Sequence, residues 1–228
     1  HEGFKDQDPQ LGLGSGVFSL PLVMKAKDRF PVNDRPYSEL EALRFNPLKI
    51  SPAPEVEVLR FNGKKIENLE VRANQELILE EIAGKAIEIK IKMNIHQARE
   101  AGFYVLRSPA GEKKTKISVM NVFHGKFPDS LLIDTTQSSL RTDLSSRPPE
   151  NAPLPLRQDG IVELRIFIDR SMIEVFADSQ QFAAVLVCPQ REDSRGVSIF
   201  AKGDRIILNS LECWQMKAIS PELAFRQG

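Results

Sequence analysis

Between Lys85 and Ile95 the chain alternates with a period of two. Ile87, Ile89, Ile91, Met93 and Ile95 stand against Glu88, Lys90, Lys92 and Asn94. Successive side chains of a strand point to opposite faces, so this segment predicts a strand with one dry and one wet face, as on an antiparallel sheet. Shorter runs rich in β-branched and aromatic residues recur at 17–26, 75–82, 102–108, 114–123, 130–136, 161–169, 172–177, 181–188, 197–201 and 205–216. Residues 55–61 and 64–71 flank Asn62-Gly63, the dipeptide favoured in a two-residue type I′ turn, and predict a hairpin. One helix is expected, over 38–45, where Ser38 and Glu41 have capping-box spacing and Leu40 and Leu43 are three apart. Residues 137–159 hold four prolines and read as a long loop.

Many short strands, polar turns and almost no helix predict an all-β, two-sheet antiparallel β-sandwich with one short helix near the N-terminus. On this reading residues 1–16 are a disordered arm or linker remnant and 17–54 a linker strand and short helix. Residues 55–219 are the sandwich and 220–228 a tail.

Composition narrows the function classes. The 228 residues include 31 Lys+Arg and 31 Asp+Glu. That balance offers no electrostatic footprint for nucleic acid or for an anionic membrane. No apolar run approaches the roughly 20 residues that span a bilayer. The chain begins at His1, read as a processed or trimmed start. Cys188 and Cys213 are too few for a disulfide framework; they read as free buried thiols, with a single bridge as the alternative. His96 and His124 have no neighbouring ligand cluster, and Asp129, Asp134 and Asp143 lack D-x-D-x-D spacing, so neither metal nor cofactor is expected.

Sugar-binding surfaces present flat aromatic rings, on which the apolar face of a sugar stacks. With one Trp, two Tyr and 13 Phe the supply is thin. Tyr37, Tyr104 and Trp214 are the candidate sugar contacts. Phe reads as core filler, and Trp214, alternating with Cys213 and Gln215, reads as core before platform.

Residues 164–176, LRIFIDRSMIEVF, form two apolar runs about the polar centre Asp169-Arg170-Ser171, a hairpin pattern. L-R-I-F-x-D-R-S-x-x-E-V-F resembles the signature of the C-terminal β-sandwich module of glycoside hydrolase family 32, which contains invertases, inulinases and levanases. Weaker likenesses follow in chain order: Gly16 to Pro21 (G-x-x-x-L-P), Pro36, Glu39-Leu40 and Leu43-Arg44 (P-x-x-E-L-x-x-L-R), Gly102 to Gly111, and Trp214. Where the family usually has an Asn-Gly turn, this chain has Asp178-Ser179-Gln180. The resemblance implies a concanavalin A-like jelly roll of two sheets of about six strands. It also implies a separate catalytic propeller as partner, a fructan or other carbohydrate as ligand, a homo-oligomer contact, and a place outside the cytoplasm, extracellular or periplasmic.

The family's propeller motifs are missing: W-M-N-D-P-N-G with the nucleophile, R-D-P, and an E-C with the acid/base in that context. A retaining glycosidase needs its two carboxyls about 5 Å apart. Glu212-Cys213 is a literal E-C with no upstream partner motif. The expectation is therefore a non-catalytic module of a β-fructosidase, inactive alone, cut from a longer enzyme or existing by itself. A stand-alone lectin-like protein is the alternative, and an active hydrolase built on Glu212 a third reading. Asp169, Arg170, Ser171 and Glu174 are the signature positions. Functionally they would face the propeller or a second subunit; structurally, Asp169 would accept turn N–H groups and Arg170 would pair with Glu174 on the hairpin.

Overall fold

The computed structural model describes residues 19–25, 49–95, 97–122, 129–139, 148–187 and 191–218. The expectations for the arm 1–16, the helix 38–45, Tyr37, His96, His124, Asp143, Cys188 and the tail 220–228 lie outside the described residues.

A short ribbon comes first: β1 (Leu22–Lys25) pairs antiparallel with β2 (Lys49–Pro52). A 3₁₀ segment, Pro54–Leu59, leads into β3 (Arg60–Val71). Then follow β4 (Gln75–Ala83), β5 (Ala86–Asn94), β6 (Glu100–Arg107), β7 (Thr115–Met120), β8 (Ser130–Asp134) and β9 (Glu150–Pro153). The chain closes with β10 (Ile161–Asp169), β11 (Met172–Ala177), β12 (Gln181–Leu186), β13 (Gly196–Lys202) and β14 (Ile206–Met216). The front sheet runs β12-β11-β10-β5-β14-β3 and the back sheet β4-β13-β6-β7-β8-β9, every neighbour antiparallel. The expected two-sheet sandwich is what the chain forms.

The period-two pattern sets the layers. Ile87, Ile89, Ile91 and Met93 of β5 and Leu164, Ile166 and Ile168 of β10 point inward. They meet Phe103 and Val105 of β6, Ile117 and Val119 of β7 and Ile199 of β13 in one core. Each such aliphatic or aromatic side chain stabilises by about 1.5–3 kcal/mol on burial. Cys213 is a free thiol in this core, and burial pushes its pKa up to about 11.

Two sequence expectations are corrected. Asn62-Gly63 is not a hairpin turn. β3 runs straight through it, and Asn62 and Gly63 together oppose Trp214, since Lys64 faces Cys213 and Phe61 faces Gln215. This is a β-bulge with Asn62 at φ +48°, so the residue type that favours a left-handed turn serves a left-handed bulge instead. A Cβ on Gly63 would lie 2.8 Å from Trp214 Nε1, so only glycine leaves room for the indole. Second, residues 55–59 coil instead of extending. Pro54 starts the turn, and period three sends Val56 and Leu59 into the same apolar cluster while Val58 stays 69% exposed. The long loop also contains a strand: β9 adds to the edge of the back sheet beside β8, where Pro153 is tolerated.

The β11–β12 loop, Asp178-Ser179-Gln180, has both Asp178 (φ +49°) and Ser179 (φ +54°) in the left-handed region. For an L-residue that conformation costs about 1 kcal/mol. Ser179→Gly relieves it while keeping the Ser179 carbonyl, which accepts the Ile50 N–H at 2.9 Å. Urea denaturation of S179G is expected to show a gain of about 0.5–1 kcal/mol; a loss would mean that the serine side chain supports the loop.

Candidate functional site

The register of the front sheet places its outward side chains in transverse rows. One row runs Lys65, Glu212, Lys90, Arg165, Phe176 across β3, β14, β5, β10 and β11. The next runs Trp214, Glu88, Phe167, Glu174 across β14, β5, β10 and β11. The signature hairpin thus supplies Arg165, Phe167, Glu174 and Phe176 to a single patch. The β1–β2 ribbon and the 3₁₀ segment lie on it: Ala53, Val56 and Leu59 form a second apolar cluster with Phe167 and Phe176, joined by Leu20, Leu22, Val23 and Ile50. The two phenyl rings meet edge-on, centroids 5.9 Å apart. Phe167 and Phe176 are therefore not filler of the main core, as the sequence suggests, but the floor under an applied segment.

Glu88 breaks the alternation of β5. It points outward, yet its side chain is 0% exposed. Arg60 grips it from the first residue of β3, Nε to Oε2 at 2.8 Å and Nη2 to Oε1 at 2.7 Å, and Arg165 donates Nε to Oε1 at 2.6 Å. Glu57 on the 3₁₀ segment closes the group, 3.1 Å from Arg60 and 3.4 Å from Arg165. Two carboxylates and two guanidiniums leave no net charge. The bidentate fork of arginine matches a carboxylate's two oxygens, which is the geometry in which a buried pair is worth its desolvation. Hydrogen bonding to Glu88 raises the Arg60 pKa further above its ordinary value.

Glu174 does not pair with Arg170. It is buried, and its two oxygens accept the Leu20 N–H at 3.0 and 3.3 Å. Burial pushes its carboxyl above the usual range, the Leu20 N–H partly offsets this, and the Asp169 charge adds to it. Asp169 and Arg170 are exposed at the hairpin end; Arg170, at φ +53°, donates its N–H to the Lys85 carbonyl at 2.6 Å. The Ser171 carbonyl accepts from Val187.

Trp214 is on this outer face rather than in the core, because Cys213 takes the inward position. The Arg60 guanidinium lies 4.1 Å from the indole centroid. Tyr104 is on the outer face of the back sheet, stacked on Phe200 at 4.7 Å with the Lys114 ammonium 3.7 Å from its ring. Both described aromatic candidates thus already carry a cation. Around Tyr104, burial pushes the Glu76 and Glu100 carboxyls up. Hydrogen bonds from Ser198, Arg107 and Lys114 to Glu76, and from Lys202, Lys116 and Ser118 to Glu100, outweigh it and hold both below the usual range. Glu212 has lysines, Lys65 and Lys90, as its cross-strand neighbours. Among the described residues no group of three or more His, Cys, Asp or Glu could hold a metal. No described helix is long and apolar enough to cross a membrane.

A groove of about 470 Å³ opens beside the ribbon on the same face. Ile50 and Pro52 wall it, and Lys90, Lys92, Ser210 and Glu212 lie on its floor.

Two expectations follow. Glu88→Gln leaves two partly buried guanidiniums short of a charge and is expected to cost about 3–5 kcal/mol by chemical denaturation, against little measurable change for exposed Lys65→Gln. A cost for E88Q near that of K65Q would contradict the clamp. For Glu174, the folded chain keeps a proton that the unfolded chain has lost, so stability falls as pH rises from the ordinary carboxyl value of about 4.3 through the raised folded value. Glu174→Gln removes that loss. The variant is expected to gain on the parent as pH rises above about 4.3, and a difference independent of pH would refute it.

Comparison with known proteins agrees with this geometry. The family described as "Glycosyl hydrolases family 32 C terminal" matches residues 55–215. The levanase of Bacillus subtilis (strain 168) is 31% identical over 211 residues, 88% of this chain and 27% of the levanase. Fructan 1-exohydrolase IIa from Cichorium intybus shares the fold with a TM-score of 0.68 at 16% identity, over 78% of this chain and 39% of its own. The fructofuranosidase of Schwanniomyces occidentalis does so with a TM-score of 0.61 at 12% identity, over 88% and 40%. The chain therefore spans 27% of the levanase and about two fifths of these solved chains. The match runs from the 3₁₀ segment to the last strand and includes the hairpin that holds the front face together: the chain belongs to glycoside hydrolase family 32, as a C-terminal β-sandwich module of that family.

Proposed function

We propose that this chain is the accessory module of a β-fructosidase acting on sucrose or fructans, and that it holds a catalytic domain in fixed register without taking part in bond cleavage. The observation that carries the reading is the fastening of Leu20 and the ribbon to the front sheet. In a C-terminal module, the preceding polypeptide enters through this segment. A buried carboxylate on the Leu20 N–H, an aromatic floor and a neutral four-charge clamp turn that entry into a rigid mount. Glu174 is then an internal anchor, and the exposed Asp169, Arg170 and Met24 (65% exposed) belong to the surface turned to the catalytic domain. Glu212, set between two lysines, has no part in hydrolysis.

The cations over Tyr104 and Trp214 weigh against the lectin-like alternative, since a stacking sugar would have to displace them. The reading also accounts for the mostly charged outer face of the back sheet, which is satisfied internally.

The chain alone is expected to release no fructose from sucrose, inulin or levan. Joined to a family 32 catalytic domain, it is expected to raise the temperature at which that domain loses activity. Phe176→Ala, a deletion worth about 3–5 kcal/mol of packing, should reverse much of that gain. Fructose release by the isolated chain that disappears in Glu212→Gln would overturn the proposal, as would a catalytic domain indifferent to the module.

A further inference from the structure

Among the described residues the sandwich has four edge strands, β3 and β12 on the front sheet and β4 and β9 on the back. A bare edge offers its row of N–H and C=O groups to another strand, and folds blunt it with charge, proline, bulges or brevity. Three of these edges carry such devices. β3 has Lys64, Lys65, Glu67 and Glu70, and its Asn62 and Asn68 are left-handed. β4 has Glu76, Glu80 and Glu81 and a break in its register with β13. β9 is four residues long and contains Glu150 and Pro153. β12, Gln181-Phe182-Ala183-Ala184-Val185-Leu186, has no charge, no proline and no glycine, and its register with β11 is unbroken. The Val187 N–H donates to the Ser171 carbonyl at 2.8 Å, one step beyond the pair of Met172 and Leu186. Alternation along an antiparallel ladder then turns the N–H and C=O of Ala183 and Val185 toward β11 and those of Phe182, Ala184 and Leu186 away from it. Among the described residues nothing bonds these outward groups.

We propose that β12 is the strand through which two copies of this chain pair, antiparallel about a two-fold axis at Ala184, so that their front sheets join edge to edge. Self-complementarity singles out a second copy as the occupant. With Ala184 on the axis, Phe182 stands opposite Leu186 of the partner subunit, and every outward N–H and C=O finds a partner; sliding the register either way leaves some of them bare. The small alanine side chains meet on the axis, and an aromatic ring meets an aliphatic side chain on the outer face. On the inner face Ala183 stands opposite Val185 of the partner subunit, and both residues pack against the main core. The strand carries no charge, so no like charges meet across the axis, as the glutamates of β4 would if that edge paired with itself. The inference does not depend on the module's role beside a catalytic domain. One strand pair is a small contact, so the dimer is weak, with a Kd of about 10–100 μM.

The test is sedimentation of the 228-residue chain across that concentration range, joined to hydrogen exchange of its backbone amides. The mass is expected to rise from 25.7 kDa toward twice that value. Over the same range the amides of Phe182, Ala184 and Leu186 are expected to exchange more slowly, while those of β3 keep one rate at every concentration. Ala184→Pro removes an outward donor and none of the bonds to β11, at the kind of edge position where proline is tolerated. Leu186→Lys places a charge on the edge. Each variant is expected to weaken the dimer at least about tenfold with the circular dichroism of the parent. Exchange in the parent needs no variant, so it decides the matter even where a substitution impairs folding. A chain that stays monomeric, a dimer that survives both variants, or protection that grows along β3 or β4 instead would each overturn the proposal. So would protection of the three amides that persists at every dilution, since a segment of the same chain would then occupy the edge.

Discussion

Glu88 lies on an interior strand of the front sheet and has no water to share its charge. A lone carboxylate in that position would cost several kcal/mol. The chain supplies Arg165 from the neighbouring strand and Arg60 from the point where the 3₁₀ segment becomes β3, and it adds Glu57 to keep the group neutral. Much of the front face follows from satisfying that one charge. Arg60 must sit where it does, so the 3₁₀ segment must end where it does. The guanidinium then covers Trp214, and the indole needs the bulge at Asn62-Gly63 to lie flat. Val56 and Leu59 come down on Phe167 and Phe176, and the ribbon follows them.

The two outer faces therefore do different work with similar residues. On the back sheet, Glu76 and Glu100 are each shared among two cations and a serine, and Tyr104 lies among them. That face is closed upon itself. On the front sheet the clamp and the phenyl floor are spent on the chain's own N-terminal segment, and the rows beyond the ribbon keep free polar groups. The back face is thus self-contained, while the front face carries a fastened segment with a polar groove beside it.

The fold was largely legible in the sequence because burial on one side of a sheet writes a period of two. β5 and β10 were readable from the alternation of their aliphatic residues and β11 from its β-branched and aromatic run, and the antiparallel sandwich followed. Legibility failed where one residue pattern serves two geometries. Asn-Gly signals a left-handed backbone, not specifically a hairpin, and the bulge uses the same property. E-V-E-V alternates like a strand, yet a proline at its head and an apolar pair three apart make a 3₁₀ turn. β9 carries no alternation, since pairing at a sheet edge needs only backbone. The candidate residues fared likewise. Glu174 was visible as special, but its partner, a backbone N–H 154 positions away, has no side-chain signature. Glu88 was read as a wet position, because nothing in its own strand announces two arginines from elsewhere. Trp214 was read as core although the alternation that places Cys213 inside places Trp214 outside.

The amide of Leu20 is the most direct probe of the central claim. It belongs to no strand, so its only protection from solvent exchange comes from Glu174 and the closure of the ribbon over the front sheet. Native-state hydrogen exchange is predicted to give Leu20 an opening free energy close to that of β10 and β11, because the segment is released only when the clamp and the apolar floor come apart. Exchange of Leu20 at the rate of an unstructured peptide, with β10 and β11 still protected, would contradict the account.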